Sequence, residues 1–163
     1  MTDAEPFDLL KFTTALNQSK LRYLLIGRWA VAYYGAPIVT ADFDFWIPPE
    51  ERARFIEILA TNFDAELPPA DRQTRPLLTA HVGPDQIDCF SPRRISNREG
   101  EILDFDTVYR RSRILKDETA GVAVRVPSLD DLIALKKFDP KDSLKRQRNL
   151  EDIRFLLTLK KHG

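Results

Sequence analysis

Acidic and aromatic residues alternate in the segment DFDFWI, residues 42–47. A period of two predicts a β-strand, in which successive side chains point to opposite faces. Phe43 and Phe45 can then be buried in a core, while Asp42 and Asp44 share the other face with backbone positions ~6.5–7 Å apart. Two carboxylates on one face repel each other unless a cation lies between them, and their hard oxygen ligands suit magnesium. Because Asp is depleted in strands, the pair indicates a function, although an exposed acidic strand face is the simpler alternative.

A glycine turn precedes this strand. The short apolar run of residues 22–26 predicts a buried strand, and a predicted helix follows Gly27 directly. Backbone N–H groups at the start of such a helix form a natural site for phosphate. A third acid, Asp88, lies in another predicted strand, residues 86–90. Three acids from neighbouring strands and a glycine turn together predict a site for a metal ion and a triphosphate.

The order of predicted elements indicates an α+β fold, with a mixed β-sheet, helices packed against it and a helical C-terminal segment over residues 128–160. A chain of 163 residues is long enough for one domain, so we expect residues 1–163 to form a single unit. The predicted helices cover residues 6–18, 28–35, 50–61, 106–111, 128–138 and 142–160. The predicted strands cover residues 22–26, 42–47, 77–82, 86–90, 113–116 and 122–126. Residues 91–104 are predicted to be a polar loop.

Charge and composition limit the partners and the cellular locations that we expect for this protein. The formal net charge is zero, so the whole chain has no bulk attraction to nucleic acid or membrane. Lys and Arg exceed Asp and Glu between Lys136 and Lys161, nine against four, which suits either a phosphate-binding part or a solvated helix face. Cys89 is the only cysteine, no apolar run approaches ~18 residues, and the first residues lack the features of a signal peptide. These observations predict a cytoplasmic protein that is not in the membrane.

The stretch YLLIGRWAVAYYGAPIVTADFDFWI, residues 23–47, resembles the nucleotidyltransferases of the DNA polymerase beta superfamily, in particular the minimal and abortive-infection (toxin-like) types. Their pattern is an apolar strand, Gly-Gly or Gly-Ser, a helix, Asp-x-Asp or Asp-x-Glu, and later one more acid on a strand. Gly27, Asp42, Asp44 and Asp88 occupy those positions. The later stretch VPSLDDLIALKKF resembles the lysine-bearing helix of these families, with Lys136 as the best match and Lys137 as the alternative.

The resemblance implies a polymerase beta palm-like fold and an Mg²⁺- or Mn²⁺-dependent nucleotidyltransferase. Such an enzyme moves a nucleoside monophosphate from a triphosphate such as ATP to a hydroxyl of RNA (tRNA, for example), of a protein or of a small molecule. Asp42 and Asp44 would ligate the metals, and Asp88 would hold the metal near the acceptor and could act as its base. Gly27 would hold the triphosphate and Lys136 would offset its charge. The acceptor, the base preference, the oligomeric state and membership of a toxin-antitoxin pair stay open.

The sequence departs from the family pattern at several places. Arg28 follows the turn glycine where the family has Gly or Ser, so it could either block the triphosphate or grip it. The residues expected to bind nucleotide are therefore Gly27, Lys136, Arg28 and Thr40. Ile38 stands where toxin-like relatives often carry Arg, and Asn149 replaces the first acid of an Asp-x-x-Asp pair that ends at Asp152. The alternative function is therefore a catalytically degenerate binding module with a regulatory or antitoxin-like role. The three mutually repelling acids favour the enzyme, because a protein without activity has little reason to keep them.

Overall fold

The computed structural model describes residues 6–97, 99–117, 121–137 and 143–162. Helices and strands alternate along these residues in a mixed α+β order. The helices are α1 (Leu9–Gln18), α2 (Gly27–Tyr33), α3 (Arg52–Phe63), α4 (Phe105–Arg111), α5 (Leu129–Lys136) and α6 (Ser143–His162). The strands are β1 (Leu24–Ile26), β2 (Asp42–Trp46), β3 (Leu77–Val82), β4 (Asp85–Phe90), β5 (Arg94–Ser96), β6 (Ile102–Asp104), β7 (Arg113–Asp117) and β8 (Val122–Val126).

A four-stranded mixed sheet in the order β1-β2-β4-β3 lies at the centre of the fold. β2 is parallel to β4, and the outer strands β1 and β3 are antiparallel to their neighbours. β5 and β6 form a separate two-stranded sheet, as do β7 and β8. The α+β class and the mixed sheet are as the sequence predicted.

Strand β2 has different surroundings on its two faces. Phe43 and Phe45 are buried on one face, where Phe12 of α1 and Phe55 of α3 pack edge-on against Phe45 or tilted to it. On the other face Trp46 is fully buried in a second cluster, beneath α4 and α5. On the same face, the end of the strand with Asp42 and Asp44 is more exposed to solvent than the end with Trp46. A single strand is therefore anchored in the core on one side while it presents carboxylates on the other.

The prediction of a featureless polar loop over residues 91–104 was wrong, because β5 and β6 lie within it. Each of these strands has only three residues, too few for a periodic pattern in the sequence. Ile95 and Leu103 pair in this ribbon and are buried in the same cluster as Trp46. Asn97 orders the connection, because its side-chain oxygen accepts from the backbone N–H groups of residues 99 and 101. Tertiary burial rather than local preference makes these strands.

Helices α5 and α6 form the predicted C-terminal segment, although residues 138–142 between them lie outside the described part. Ser128 caps α5 as predicted, since its hydroxyl accepts from the backbone N–H of Asp131. α5 and α6 contact each other, and α6 also contacts α2. Among the described helices, none combines the length and the apolar character needed to cross a membrane.

Candidate active site

The parallel pairing of β2 with β4 places two of the predicted acids side by side. Asp44 lies directly opposite Asp88 in the register, and Asp42 lies opposite Gln86. Residues that face each other in a sheet point to the same side, so all three acids lie on one face. Asp42, at the open end of its strand, is exposed, whereas Asp44 and Asp88 are half-buried.

The two central acids interact closely. Burial, the negative charge of Asp88 and a hydrogen bond between the two carboxyl groups together raise the pKa of Asp44 to about 7. The positive charge of Lys136 acts in the opposite direction. Asp88 also accepts hydrogen bonds from Thr79 Oγ1, at 2.7 Å, and from Gln86 Nε2, at 3.2 Å. Its carboxylate is therefore oriented by β3 and by its own strand.

Gly27 brings the turn after β1 against this acid pair. Ile26, its predecessor, pairs with Asp44 across the two strands. Gly27 has a φ of +71°, and a β-carbon at this position would lie 2.1 Å from Asp44 Oδ2. Only glycine meets both conditions, because it tolerates positive φ and has no side chain to collide with the carboxylate. α2 begins at this residue, one position before the predicted start at residue 28.

A cavity of about 480 Å³ is lined in part by all seven residues that the sequence predicted to form the site. These seven are Gly27, Arg28, Thr40, Asp42, Asp44, Asp88 and Lys136. Thr40 lies at the entry to β2, where its hydroxyl accepts from the backbone N–H of Asp42 and its carbonyl accepts from Trp29 Nε1. It thereby holds the start of the acidic strand, and its own side chain stays at the cavity wall.

The structure distinguishes the two lysines that compete for the position on α5. Lys136 is 7% exposed and lines the cavity. Lys137 points elsewhere, and its Nζ lies 3.1 Å from Glu99 Oε2 and 3.8 Å from Glu101 Oε1. Between the two, Lys136 is therefore the one that can meet a ligand beside the acids.

Asp152 was not among the predicted site residues, yet it joins two residues of the cavity wall. Its side chain is 3% exposed, and its Oδ2 lies 2.9 Å from Lys136 Nζ and 3.6 Å from Arg28 Nε. Asn149, one helical turn earlier, accepts from Lys136 Nζ at 3.5 Å. The signal was present, because Asp152 was recognised as the surviving acid of a family pair. Its spatial proximity to Arg28 and Lys136 was not predictable from their spacing.

The rest of the cavity wall is largely apolar. Its apolar members come from the strands of the central sheet, from β5 and from α5, and they are Ile26, Leu77, Phe90, Ile95, Leu132 and Leu135. Gln86, Asn149 and the exposed side chain of Arg148 complete the lining. A cavity that combines apolar walls with converging polar groups is typical of a small-molecule site.

The donor set of the three acids suits a hard divalent cation, since carboxylate oxygens are the ligands that magnesium prefers. Burial is the main cause of the raised pKa of Asp44, and the negative charges of Asp88 and Asp42 add to it; a cation would relieve this repulsion. Within the described ranges, however, no three Asp, Glu, His or Cys side chains are already gathered at metal-binding distances. A bound cation would favour the deprotonated form of Asp44, so cation binding and proton release would be coupled.

No protein-family model and no curated protein sequence matches this chain. Solved structures of nucleotidyltransferases do match it in fold. The lincosamide antibiotic adenylyltransferase LnuA, in its lincomycin-bound form, has a TM-score of 0.63 and 13% identity, with 95% of this chain and 98% of that chain covered. A Thermotoga maritima protein provisionally assigned as a nucleotidyltransferase, TM1012, has a TM-score of 0.59 and 16% identity over 91% of this chain and 89% of that one.

The antibiotic-resistance factor ANT(2'')-Ia is also similar, with a TM-score of 0.58 and 19% identity over 91% of this chain and 80% of its own. These identities are low, so the similarity concerns the arrangement of helices and strands. The mixed sheet and the helices packed against it place this chain in the nucleotidyltransferase fold.

Proposed function

We propose that this protein is a nucleotidyltransferase that moves a nucleoside monophosphate from a nucleoside triphosphate to a hydroxyl group. The observation that carries the proposal is the position of Asp44, which lies opposite Asp88 in parallel strands and against the turn at Gly27. Lys136 lines the same cavity, so acids and a cation face a common space. The similarity in fold to antibiotic adenylyltransferases supports this proposal.

Each wall of the cavity has its own part in this chemistry. Asp42, Asp44 and Asp88 would hold Mg²⁺ or Mn²⁺, which would offset negative charge on the reacting phosphate and on the acids themselves. The backbone at Gly27 approaches the triphosphate closely because no side chain intervenes, and Lys136 offsets the charge of the phosphates. The acceptor oxygen bonds to the α-phosphorus, the bond to the bridging oxygen breaks, and pyrophosphate leaves. Asp88 is placed to take the hydroxyl proton.

The apolar wall favours a small-molecule acceptor. Leu77 and Phe90 pair with each other at the end of β3 and β4 and line the cavity on the same face as Asp88. An acceptor with an apolar body and a hydroxyl would fit against this wall. The comparison proteins point the same way, since one is bound to lincomycin and another is in complex with adenylyl-2''-tobramycin. A hydroxyl of tRNA or of a protein is the alternative acceptor, and a labelling experiment distinguishes these classes.

A thermal-shift titration tests nucleotide binding directly. Each nucleoside triphosphate is added with Mg²⁺ or Mn²⁺ to the native protein and to the double variant Asp42→Asn/Asp44→Asn. A ligand at 100 times its Kd should stabilise the native fold by ~2.7 kcal/mol, and the double variant should show no such metal-dependent shift. If no metal–nucleotide pair shifts the native protein, the proposal is wrong.

A labelling experiment then identifies the acceptor class. The protein is incubated with α-³²P-labelled triphosphate and, in separate reactions, with total tRNA, with a protein extract and with a panel of hydroxylated small molecules. We expect label in the small-molecule fraction, released pyrophosphate in equal amount, and no transfer by the double variant. Label on RNA or protein instead would keep the reaction but replace the proposed acceptor.

A degenerate binding module is the second candidate. Two observations favour it, namely the ion pair that engages Arg28 at the turn and the raised pKa that burial gives Asp44 in the absence of metal. A binding module predicts no release of pyrophosphate with any acceptor, even where nucleotide binds. The titration and the labelling experiment therefore separate the two functions.

A further inference from the structure

Asp152 is a buried acid that no step of the proposed reaction uses. It lies on α6, with 3% of its side chain exposed, and α6 otherwise contributes only Arg148 and Asn149 to the cavity wall. Within the described part of the chain, Arg28 Nε is a buried atom without a hydrogen-bond partner, and Asp152 Oδ2, also buried, is held by ion pairs rather than by a well-aligned hydrogen bond. Buried polar atoms are normally hydrogen-bonded, so two such atoms beside a cavity require an explanation.

Two cations from different elements converge on this one carboxylate. Lys136 comes from the end of α5, and its Nζ lies 2.9 Å from Asp152 Oδ2. Arg28 comes from the first turn of α2, and its Nε lies 3.6 Å from the same oxygen. Two positive charges face one negative charge, so the group keeps a surplus of one positive charge where it lines the cavity. Both cations thus have capacity for a further anionic partner.

Helix docking alone does not account for this arrangement. α5 and α6 are already joined by an ion pair on the surface, in which Lys160 Nζ lies 2.6 Å from Asp130 Oδ1. A buried ion pair contributes little net stability, because desolvation of the charges offsets their attraction. The position of Lys136 also has a consequence for the acids, since its charge acts on Asp44. Asp152 therefore holds a lysine between itself and the acid pair.

We propose that Asp152 is a positioning residue for the triphosphate. It holds the Lys136 ammonium and the Arg28 guanidinium at the cavity wall beside the turn at Gly27, where both cations can bind phosphate oxygens of the nucleotide. This inference rests on the proposed function, because it assumes a triphosphate ligand. It assigns α6 a part in substrate binding through a residue that does not itself touch the substrate.

The direction in which Asp152→Asn changes polyphosphate affinity distinguishes a positioning role for Asp152 from an effect of the net charge of the cavity wall. Asp152→Asn removes a negative charge beside the cavity while it nearly preserves the shape of the side chain. If the net charge of the wall governs binding, the more positive cavity should bind polyphosphate more tightly. If Asp152 positions the two cations, binding should weaken in spite of the added positive charge.

Isothermal titration calorimetry of ATP and of inorganic tripolyphosphate, each in Mg²⁺, provides the measurement. The matched control is Asp130→Asn, which makes the same change of charge and also removes an α5–α6 ion pair, but lies outside the cavity lining. We expect Asp152→Asn to weaken both ligands by at least ~10-fold, as the loss of a charge-assisted contact would, and Asp130→Asn to stay within ~2-fold. Unchanged or tighter binding by Asp152→Asn, with normal binding by the native protein, would overturn this inference alone. Absence of binding by the native protein would instead count against the proposed function.

A second variant keeps the test decisive if Asp152→Asn does not fold. The exchange Asp152→Asn/Asn149→Asp leaves the net charge unchanged and moves the carboxylate to residue 149, whose side chain already contacts Lys136. We expect this variant to fold and to bind tripolyphosphate within ~3-fold of the native protein, since Lys136 keeps an anionic partner. If the exchange variant folded but no longer bound tripolyphosphate, an ion pair between a carboxylate and Lys136 would not be sufficient for phosphate binding.

Discussion

Gly27 and Asp44 are so close that a β-carbon on residue 27 would lie 2.1 Å from the Asp44 carboxylate. The turn that follows β1 and the acidic strand β2 are therefore mutually constrained. The glycine can approach only because it has no side chain, and the acid can remain in place only while the glycine is there. The proposed site for a phosphate group and the proposed site for a cation are thus brought into contact.

We predict that Gly27→Ala abolishes nucleotide binding and destabilises the protein. Gly100→Ala is the matched control, because Gly100 has a similar φ of +79° but no atom within 4 Å of its would-be β-carbon. Positive φ alone should cost about 1–3 kcal/mol in each variant, and Gly27→Ala should cost more because it also displaces Asp44. Urea unfolding and ATP titration of the two variants check this. Equal losses of stability with intact binding in both would contradict the contact with Asp44.

The second prediction concerns the acids as a group. Asp42→Asn/Asp44→Asn should leave the metal-free protein as stable as the native one or more stable, because the change relieves repulsion among like charges. The free energy of unfolding in the presence of a chelator measures this. Marked destabilisation without metal would mean that these acids maintain the structure rather than bind a ligand.

The third prediction is a pH dependence. The pKa of Asp44 rises from 3.8 to about 7 on folding, so the native state holds this proton more tightly than the unfolded chain. The contribution of this proton to the free energy of unfolding is therefore fully present below the unfolded pKa. It is lost as the pH rises through the folded pKa. We expect the stability advantage of Asp44→Asn over the native protein to grow between pH 4 and pH 8 in chelator. A pH-independent difference between the two proteins would contradict the raised pKa.

The fourth prediction concerns Arg28. Its side chain lines the cavity and pairs with Asp152, an arrangement suited to holding phosphate rather than to blocking it. Arg28→Ser should therefore weaken the binding of tripolyphosphate, by ~3- to 10-fold for the loss of one charged contact. Titration calorimetry decides the direction. Stronger binding would identify Arg28 as an obstruction, and unchanged affinity would remove it from the site.

The fifth prediction tests how firmly α6 is packed on the domain. Leu156 is fully buried in the main core, one helical turn after Asp152, whereas its neighbour Leu157 is 43% exposed. Leu156→Ala should destabilise the protein by about 2–5 kcal/mol, and Leu157→Ala by less than about 0.5 kcal/mol. Urea unfolding of both variants measures the difference. If Leu156→Ala were equally mild, α6 would not be part of the cooperative fold and could not position Asp152 accurately.

Local patterns in the sequence were enough to predict several parts of the site. The alternation in DFDFWI predicted a strand with carboxylates on one face, because the side-chain period of a strand is independent of the rest of the fold. The apolar run before Gly27 predicted the turn and the helix that follows it. Asp88, between apolar neighbours, was likewise predicted to lie on a strand.

Only the tertiary structure decided which groups meet. The parallel register that sets Asp44 opposite Asp88 depends on the crossover through α3 and β3, and no local pattern encodes it. The convergence of Arg28 and Lys136 on Asp152 joins residues more than a hundred positions apart in the chain. β5 and β6 exist because Ile95 is buried beside Trp46. Periodicity determines which face a side chain occupies, whereas packing between distant elements determines its neighbours.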